Sequence, residues 1–261
     1  MEEIIKTAIL GLIQGFTEFL PVSSSGHLLV FRKIFGLAEA GLLLDTMLHL
    51  GTLVAVIAVF WRDIWEMIKK PFSHLTLLIV VGTIPTGIIG LLFKDTFENL
   101  ARSGVTVGWE FLITGLILWF ADNLKERGLK DVSRITFKDS LIVGTLQGVA
   151  ILPAISRSGL TIAGSLFQGI DRKTAAKFSF LLSIPAIMGA VVVQGKDILE
   201  GNLEGIGLSS LVVGTLVAAV CGYIAVRWMI KIIQRGSLKG FSIYVWVIGV
   251  GILLAQLFGR F

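Results

Sequence analysis

The sequence predicts an all-α protein that crosses a membrane several times. It is expected to be built from two inverted copies of one unit, each a re-entrant helix hairpin followed by three transmembrane helices. Three observations carry that expectation. Of the 261 residues, 54% are hydrophobic and only 16% are charged, with a mean hydropathy of +0.86, a composition of membrane proteins rather than soluble domains. Apolar runs recur at close to the roughly 20 residues that a spanning helix needs. Two of the apolar regions are interrupted by polar stretches that resemble each other, at 14–27 and 147–161.

Taken in order, residues 2–35 hold two short apolar pieces, about 4–13 and 28–35, around QGFTEFLPVSSSGH. Neither piece is long enough to span, and Pro21 and Gly26 break the helix between them, so a hairpin with its tip inside the membrane is expected. Residues 43–60 are long enough to cross, about 27 Å at 1.5 Å per residue. The following WRDIWEMIKK has the aromatic and basic character of a membrane interface. Residues 74–93, with Pro85 inside, and 105–121 are the next two spans, and His74 at the start of a span fits an interfacial position. Residues 122–138 are the most polar part of the chain: Lys125, Arg127, Lys130, Arg134 and Lys138 alternate with Asp122, Glu126 and Asp131. They read as a solvated connector between repeat one, about 1–121, and repeat two, about 139–261. A second interrupted segment, 139–170, and spans at about 174–194, 208–228 and 241–258 complete a single membrane domain over 1–261. The start, MEEIIK, is acidic and lacks a small-residue cleavage site, so a cleaved signal peptide is not expected. The single Cys221 excludes an internal disulfide and a cysteine-based zinc cluster.

The repeat is read from matched pairs. Gln14-Gly15 matches Gln147-Gly148, Leu20-Pro21 matches Leu152-Pro153 with a one-residue slip, and Ser23-Ser24-Ser25-Gly26 matches Ser156-Arg157-Ser158-Gly159. A hairpin adds no crossing and three spans is an odd number, so the second half must sit upside down relative to the first. Charge gives the orientation. With residues 1–42 on one side and the sides alternating thereafter, seven Lys and Arg (Lys6, Arg32, Lys33, Lys94, Arg102, Lys196, Arg260) fall on that side. Fifteen of the 23 fall on the other, with Arg157 in the second tip set aside. The positive-inside rule makes the second side cytoplasmic and puts both termini, and the mouth of the first hairpin, outside. The net charge of +5 therefore orients the chain and implies no nucleic-acid partner.

The polar tips carry the chemistry. Gln14 and Glu18 are i, i+4 and share a helix face. A carboxylate inside a membrane needs a cation, a proton or a metal, and Arg157 in the other tip is the natural cation because arginine stays charged. The guanidinium fork also matches phosphate oxygens. Serine hydroxyls and backbone N–H groups at a glycine-containing helix start form an anion cradle, which makes Ser156, Arg157, Ser158 and Gly159 with Thr161 a phosphate site. Ser23, Ser25 and Gly26 are the corresponding candidates in the first tip. Ser24 is a candidate nucleophile and His27, three residues on, its general base, with contact between them expected if a helix starts near Ser25; His27 itself and a directly attacking water are the alternative nucleophiles. Asp45 and His49, i, i+4 on the first span, read as supporting or helix-packing polar residues.

QGFTEFLPVSSSGH resembles the (E/Q)xxxE-F-x-P-x-S-S-x-G-H motif of the bacterial undecaprenyl-diphosphate phosphatase family, and PAISRSGLT resembles that family's P-G-x-S-R-S-G-x-T motif. LHLGTLVAVIAVFWRD and KFSFLLSIPAIMGA extend the resemblance over nearly the whole chain. It implies an integral enzyme of the bacterial cell membrane that removes the terminal phosphate of an isoprenyl diphosphate lipid, recycling the carrier for cell-wall synthesis, with its mouth outside. Glu18, Ser24, His27 and Arg157 take the family's functional positions. The family's divalent-cation dependence implies Mg²⁺ or Ca²⁺ bridging diphosphate oxygens to Glu18. Gln14 stands where the family allows Glu or Gln, which argues against two carboxylates sharing the metal. Ala154 replaces the family's usual glycine, so strain is expected if that position needs positive φ. A second lipid-phosphatase superfamily with Ser-Gly-His and Ser-Arg elements requires a histidine six residues after the arginine; Ala163 stands there and excludes it. The competing class is a transporter or flippase for a lipid phosphate or anion, which the same inverted architecture would serve. Besides the lipid substrate and the bilayer, the sequence names no partner, and a homodimer is compatible with it.

Overall fold

The computed structural model describes residues 1–37, 41–123, 129–199 and 206–259, with side chains for all of these except 41–42, 193–199 and 235. Of the charges read above, Lys125, Glu126, Arg127 and Arg260, and the side chain of Lys196, lie outside the described residues. The described residues form twelve α-helices and no strand: α1 (Glu2–Phe19), α2 (Ser24–Phe35), α3 (Gly41–Val59), α4 (Trp61–Lys69), α5 (His74–Leu92), α6 (Lys94–Ser103), α7 (Val107–Asp122), α8 (Phe137–Val149), α9 (Arg157–Phe167), α10 (Arg172–Leu199), α11 (Leu208–Arg235) and α12 (Lys239–Leu257).

Four of them, α5, α10, α11 and α12, are long and apolar enough to cross a membrane unaided. The pairs α3–α4 and α6–α7, bent by 78° and 108°, raise the number to six. The protein is thus an all-helical, multi-pass membrane protein, and the six expected spans correspond to α3, α5, α7, α10, α11 and α12. Helix α4 buries none of its residues and stacks Trp61 on Trp65 with ring centroids 5.9 Å apart, as an interfacial helix does. Helix α6, polar and without a buried residue, was expected as part of a connection; its apolar signal is too weak to stand out from the sequence. Helix α1 also runs further than its apolar piece, to Phe19. Gln14 and Glu18 are therefore helical, and the break is confined to residues 20–23.

Polar contacts gather at two ends of the bundle. At one end the Glu3 carboxylate accepts from Gly207 N–H, Arg32 pairs with Asp45 at 3.3 Å, and Gln256 donates to the Gly104 carbonyl. At the other, Lys177 pairs with Asp63, His74 bonds the Ile135 carbonyl, and Arg172 bonds Asp122 and the carbonyls of Ile233 and Gly236. The expected solvated connector is only partly so. Lys130 pairs with buried Asp139 at 2.9 Å, bridges to Ile170, and Thr136 and Asp139 form a capping box that starts α8.

Glycines let α1 pack closely on α11 and α8 on α5. A Cβ on Gly11 of α1 would sit 2.3 Å from the Gly214 carbonyl oxygen of α11, and one on Gly144 of α8 would sit 1.9 Å from the Gly82 carbonyl oxygen of α5. Neither distance is tolerable for a real side chain, so the small residue is what allows these backbones to touch.

Candidate active site

The two broken segments meet at Glu18. Arg157 Nη2, on the first residue of α9, donates to Glu18 Oε1 at 2.5 Å. Ser24 Oγ, on the first residue of α2, donates to Oε2 at 2.5 Å, and Gln14 Nε2 donates to the same oxygen at 3.0 Å. His49 of α3 places Nε2 3.6 Å away. The Glu18 side chain is 5% exposed and that of Arg157 15%. The N-termini of α2 and α9 thus converge on one carboxylate and bring their positive dipole ends with them. Two polar atoms in the cluster, Arg157 Nη1 and Gln14 Oε1, are buried without a hydrogen-bond partner, the kind of unfilled valence that in a native protein calls for an explanation.

The first tip is held by Ser23. Its φ of +68° is the only positive φ of a non-glycine residue among those described, a conformation that costs about 1–3 kcal/mol. Its Oγ accepts from Gly26 N–H at 3.2 Å, capping α2. Its carbonyl faces His27 Nδ1 at 2.6 Å. A carbonyl only accepts, so Nδ1 carries the proton and the lone pair of the neutral ring lies on Nε2. That nitrogen is 2.8 Å from the Tyr244 hydroxyl of α12. The expected contact between Ser24 and His27 is therefore not the one formed: with α2 beginning at Ser24 itself, the hydroxyl turns to Glu18 and the imidazole to α12. Ser25 is half-buried in the first turn of α2. A Cβ on Gly26 would lie 2.7 Å from the Phe111 ring and 3.0 Å from Ala154 Cβ, so this glycine permits the tips to approach.

The second tip is braced by α7. Ala154 N–H donates to Glu110 Oε2 at 2.5 Å, and Ser156 N–H donates to Thr114 Oγ1 at 3.2 Å. Ala154 is fully buried without positive φ, so the strain expected from alanine there does not arise. Ser156 Oγ caps α9 through Gly159 N–H, and Ser158 Oγ donates to the Leu20 carbonyl, tying tip to tip. Thr161 lies a turn inside α9, bonded to the Arg157 carbonyl and to Ser179 of α10. These three hydroxyls, expected to cradle phosphate, also hold the backbone around Arg157.

The chain matches the family described as bacitracin resistance protein BacA over residues 7–251. It is 55% identical over 252 residues to undecaprenyl-diphosphatase 3 of Bacillus cereus, covering 97% of each chain. It is 56% identical over 258 residues to undecaprenyl-diphosphatase of Carboxydothermus hydrogenoformans, covering 98% of each. The enzyme of the same name from Halothermothrix orenii is 46% identical over 254 residues, covering 97% of this chain and 98% of that relative.

This chain belongs to the BacA family.

Three residues of this BacA-family site escape a reading of the two tips alone. Glu110 is a buried acid in an otherwise apolar span, and that oddity is its signal. His49 was expected only in support, yet its ring borders Glu18. Tyr244 gives no signal, since tyrosine in a span most often marks an interface. As for a metal, no group of three or more His, Cys, Asp or Glu among the described residues could hold one. The donors suit instead a hard cation shared with a diphosphate: one carboxylate, Glu18, and the unpartnered Gln14 Oε1.

Proposed function

We propose that this protein hydrolyses the terminal phosphate of undecaprenyl diphosphate, yielding undecaprenyl phosphate and phosphate, and so returns the lipid carrier to cell-wall synthesis. The observation that carries this reading is the unpartnered Arg157 Nη1 beside Ser24, where two helix N-termini meet inside a membrane protein. Arg157 and the first N–H groups of α2 and α9 hold the terminal phosphate and stabilise the charge that builds on its oxygens. Ser24 Oγ attacks phosphorus in line and the bridging P–O bond breaks, releasing the lipid monophosphate. The Ser24 proton passes to Glu18, the acceptor it already faces. Water then cleaves the phosphoserine, with the Nε2 lone pair of His27 as the site's second base. A divalent cation, Mg²⁺ or Ca²⁺, would be held by Glu18 and Gln14 and would supply neutralising charge to the phosphate oxygens.

The first isoprene units of the apolar tail would lie along a groove of about 420 Å³ between α2 and α12, lined by Val30, Ile34, Val247, Ile248 and Ile252 with Lys33 on its wall. It starts one helical turn beyond His27 and Tyr244. A substrate dissolved in the bilayer would reach the site sideways through it.

The reading includes the architecture. The two halves, about 1–121 and 139–261 with 122–138 as connector, act as inverted repeats whose hairpins α1–α2 and α8–α9 enter from opposite faces. Helix packing supports this: α1 lies on α11 as α8 lies on α5, α3 on α11 as α10 on α5, while α3 packs on α10 and α7 on α12. Exchanging the halves leaves that pattern unchanged. Both termini and the mouth of the first hairpin face outside, on the charge asymmetry. The same packing suits a transporter of lipid phosphate, so the test must separate the two.

Purified protein in detergent should release phosphate from undecaprenyl diphosphate, lose that activity with chelator, and regain it with Mg²⁺ or Ca²⁺. Lipid movement in liposomes without phosphate release from the wild type would leave the transporter standing.

A further inference from the structure

Tyr244 belongs to α12, in the half of the chain opposite to His27, and no motif marks it. Three observations attach it to the site. Its hydroxyl lies 2.8 Å from His27 Nε2. Its ring stacks on the imidazole, 5.7 Å between centroids and 3° from parallel. Phe111 closes the third side edge-on at 5.4 Å and 83°. Because the Ser23 carbonyl fixes the proton on Nδ1, Nε2 is an acceptor and the Tyr244 O–H donates to it. The hydroxyl thereby opposes rotation of the imidazole about its own axis, and the stacked ring opposes tilt. His27 itself is 4% exposed, whereas Tyr244 is 44% exposed, so α12 props a buried base from a position that borders the lipid-facing groove.

We propose that Tyr244 is a positioning residue for His27: it holds the imidazole in one orientation and in the tautomer protonated on Nδ1, its O–H occupying the Nε2 lone pair until a reacting group displaces it. The proposal rests on the phosphatase reading for its kinetic consequence but not for its structural one. It also gives α12 a task matching that of α7. Glu110 and Thr114 hold the backbone of the second tip, and Tyr244 holds the base of the first, so each tip is steadied by the last helix of the opposite half.

The test is Tyr244→Phe, which keeps the ring and removes the hydroxyl, beside Tyr244→Leu, which removes both. The chain has three histidines, so selective ¹⁵N-histidine labelling yields three imidazole spin systems, and His27→Gln identifies the one from His27. Expected for Tyr244→Phe are a kcat about 3–10-fold lower, the worth of one lost hydrogen bond, a KM within twofold, and a shifted His27 Nε2 resonance. Tyr244→Leu should lose more of kcat and broaden or split that resonance. An unmoved His27 resonance in both variants overturns the proposal, as does unchanged kcat, or a raised KM with kcat intact, which would make Tyr244 a substrate contact. If the wild type releases no phosphate, the phosphatase reading fails on its own. The resonances then still decide: a shift supports the positioning role and its absence refutes it.

Discussion

Replacing Glu18 with glutamine removes one negative charge and little else of the side chain. In the wild type that carboxylate takes hydrogen bonds from Arg157, Ser24 and Gln14. In Glu18→Gln the guanidinium, 15% exposed, keeps its charge and loses its counter-ion. An exposed ion pair would be worth only about 0–1 kcal/mol. Removing one partner of a buried pair costs about 3–5 kcal/mol, because the remaining charge stays desolvated. The 5% exposure of Glu18 puts the pair in the second class. At about 2–4 °C per kcal/mol for a chain of this size, the unfolding midpoint in detergent should fall by about 6–20 °C, read by thermal denaturation of purified protein. The same reasoning makes an anion a remedy. Inorganic pyrophosphate that binds Arg157 at 100 times its Kd should return about 2.7 kcal/mol, and should raise the midpoint of Glu18→Gln more than that of the wild type. A Glu18→Gln midpoint within about 2 °C of wild type would refute the account, since the pair would then be solvated and Arg157 would not be held in wait for an anion.

Three other outcomes are expected. Arg157→Lys should fold but release phosphate roughly 10- to 100-fold more slowly, because lysine keeps the charge and loses the fork, a difference of about 1.5–3 kcal/mol; near wild-type turnover would make Arg157 a simple counter-ion. Gly144→Ala should lower the unfolding midpoint by several degrees, its Cβ meeting the Gly82 carbonyl oxygen at a cost of about 1–3 kcal/mol or more. Gly87→Ala, with nothing within 4 Å of its Cβ, is the control and should be tolerated. A cysteine placed at residue 3 in Cys221→Ala protein should react with an impermeant thiol reagent in intact cells, and protection there would reverse the orientation.

How much was legible in the sequence depended on whether a residue's signal lies in its neighbours along the chain or across the fold. The spans were legible because about 20 apolar residues have few other uses, and the two breaks because Pro and Gly beside serines cannot continue an apolar helix. The Glu18–Arg157 pair was legible because two lone charges in hydrocarbon must find each other. The partner of Ser24 was not. Spacing along the chain put His27 within reach, but the one-residue difference between a helix starting at Ser24 and at Ser25 turns the hydroxyl toward Glu18. Tyr244 was not legible at all, since its partner is 217 positions away and its chemistry is that of an ordinary interfacial tyrosine. Glu110 carries a weaker signal: an acid in the first turn of an apolar helix is a common helix-start residue, and its burial against Ala154 N–H appears only in the fold.

The comparison between the two proposed repeats separates scaffold from chemistry. At a constant offset, Gly11 and Gly144, Gln14 and Gln147, Gly15 and Gly148, Ser23 and Ser156, and Gly26 and Gly159 are the same residue type. The glycines and serines among them do structural work: glycine contacts let helices touch, and serine caps start α2 and α9. Among the positions that differ are Glu18 against Ile151, Ser24 against Arg157, and His27 against Leu160. These are the acid, the hydroxyl with its matching cation, and the base. One tip carries the carboxylate and the other the guanidinium, so that neither satisfies its own charge. Each needs the other in place, and the polar cluster around Glu18 therefore exists only once the two tips are docked.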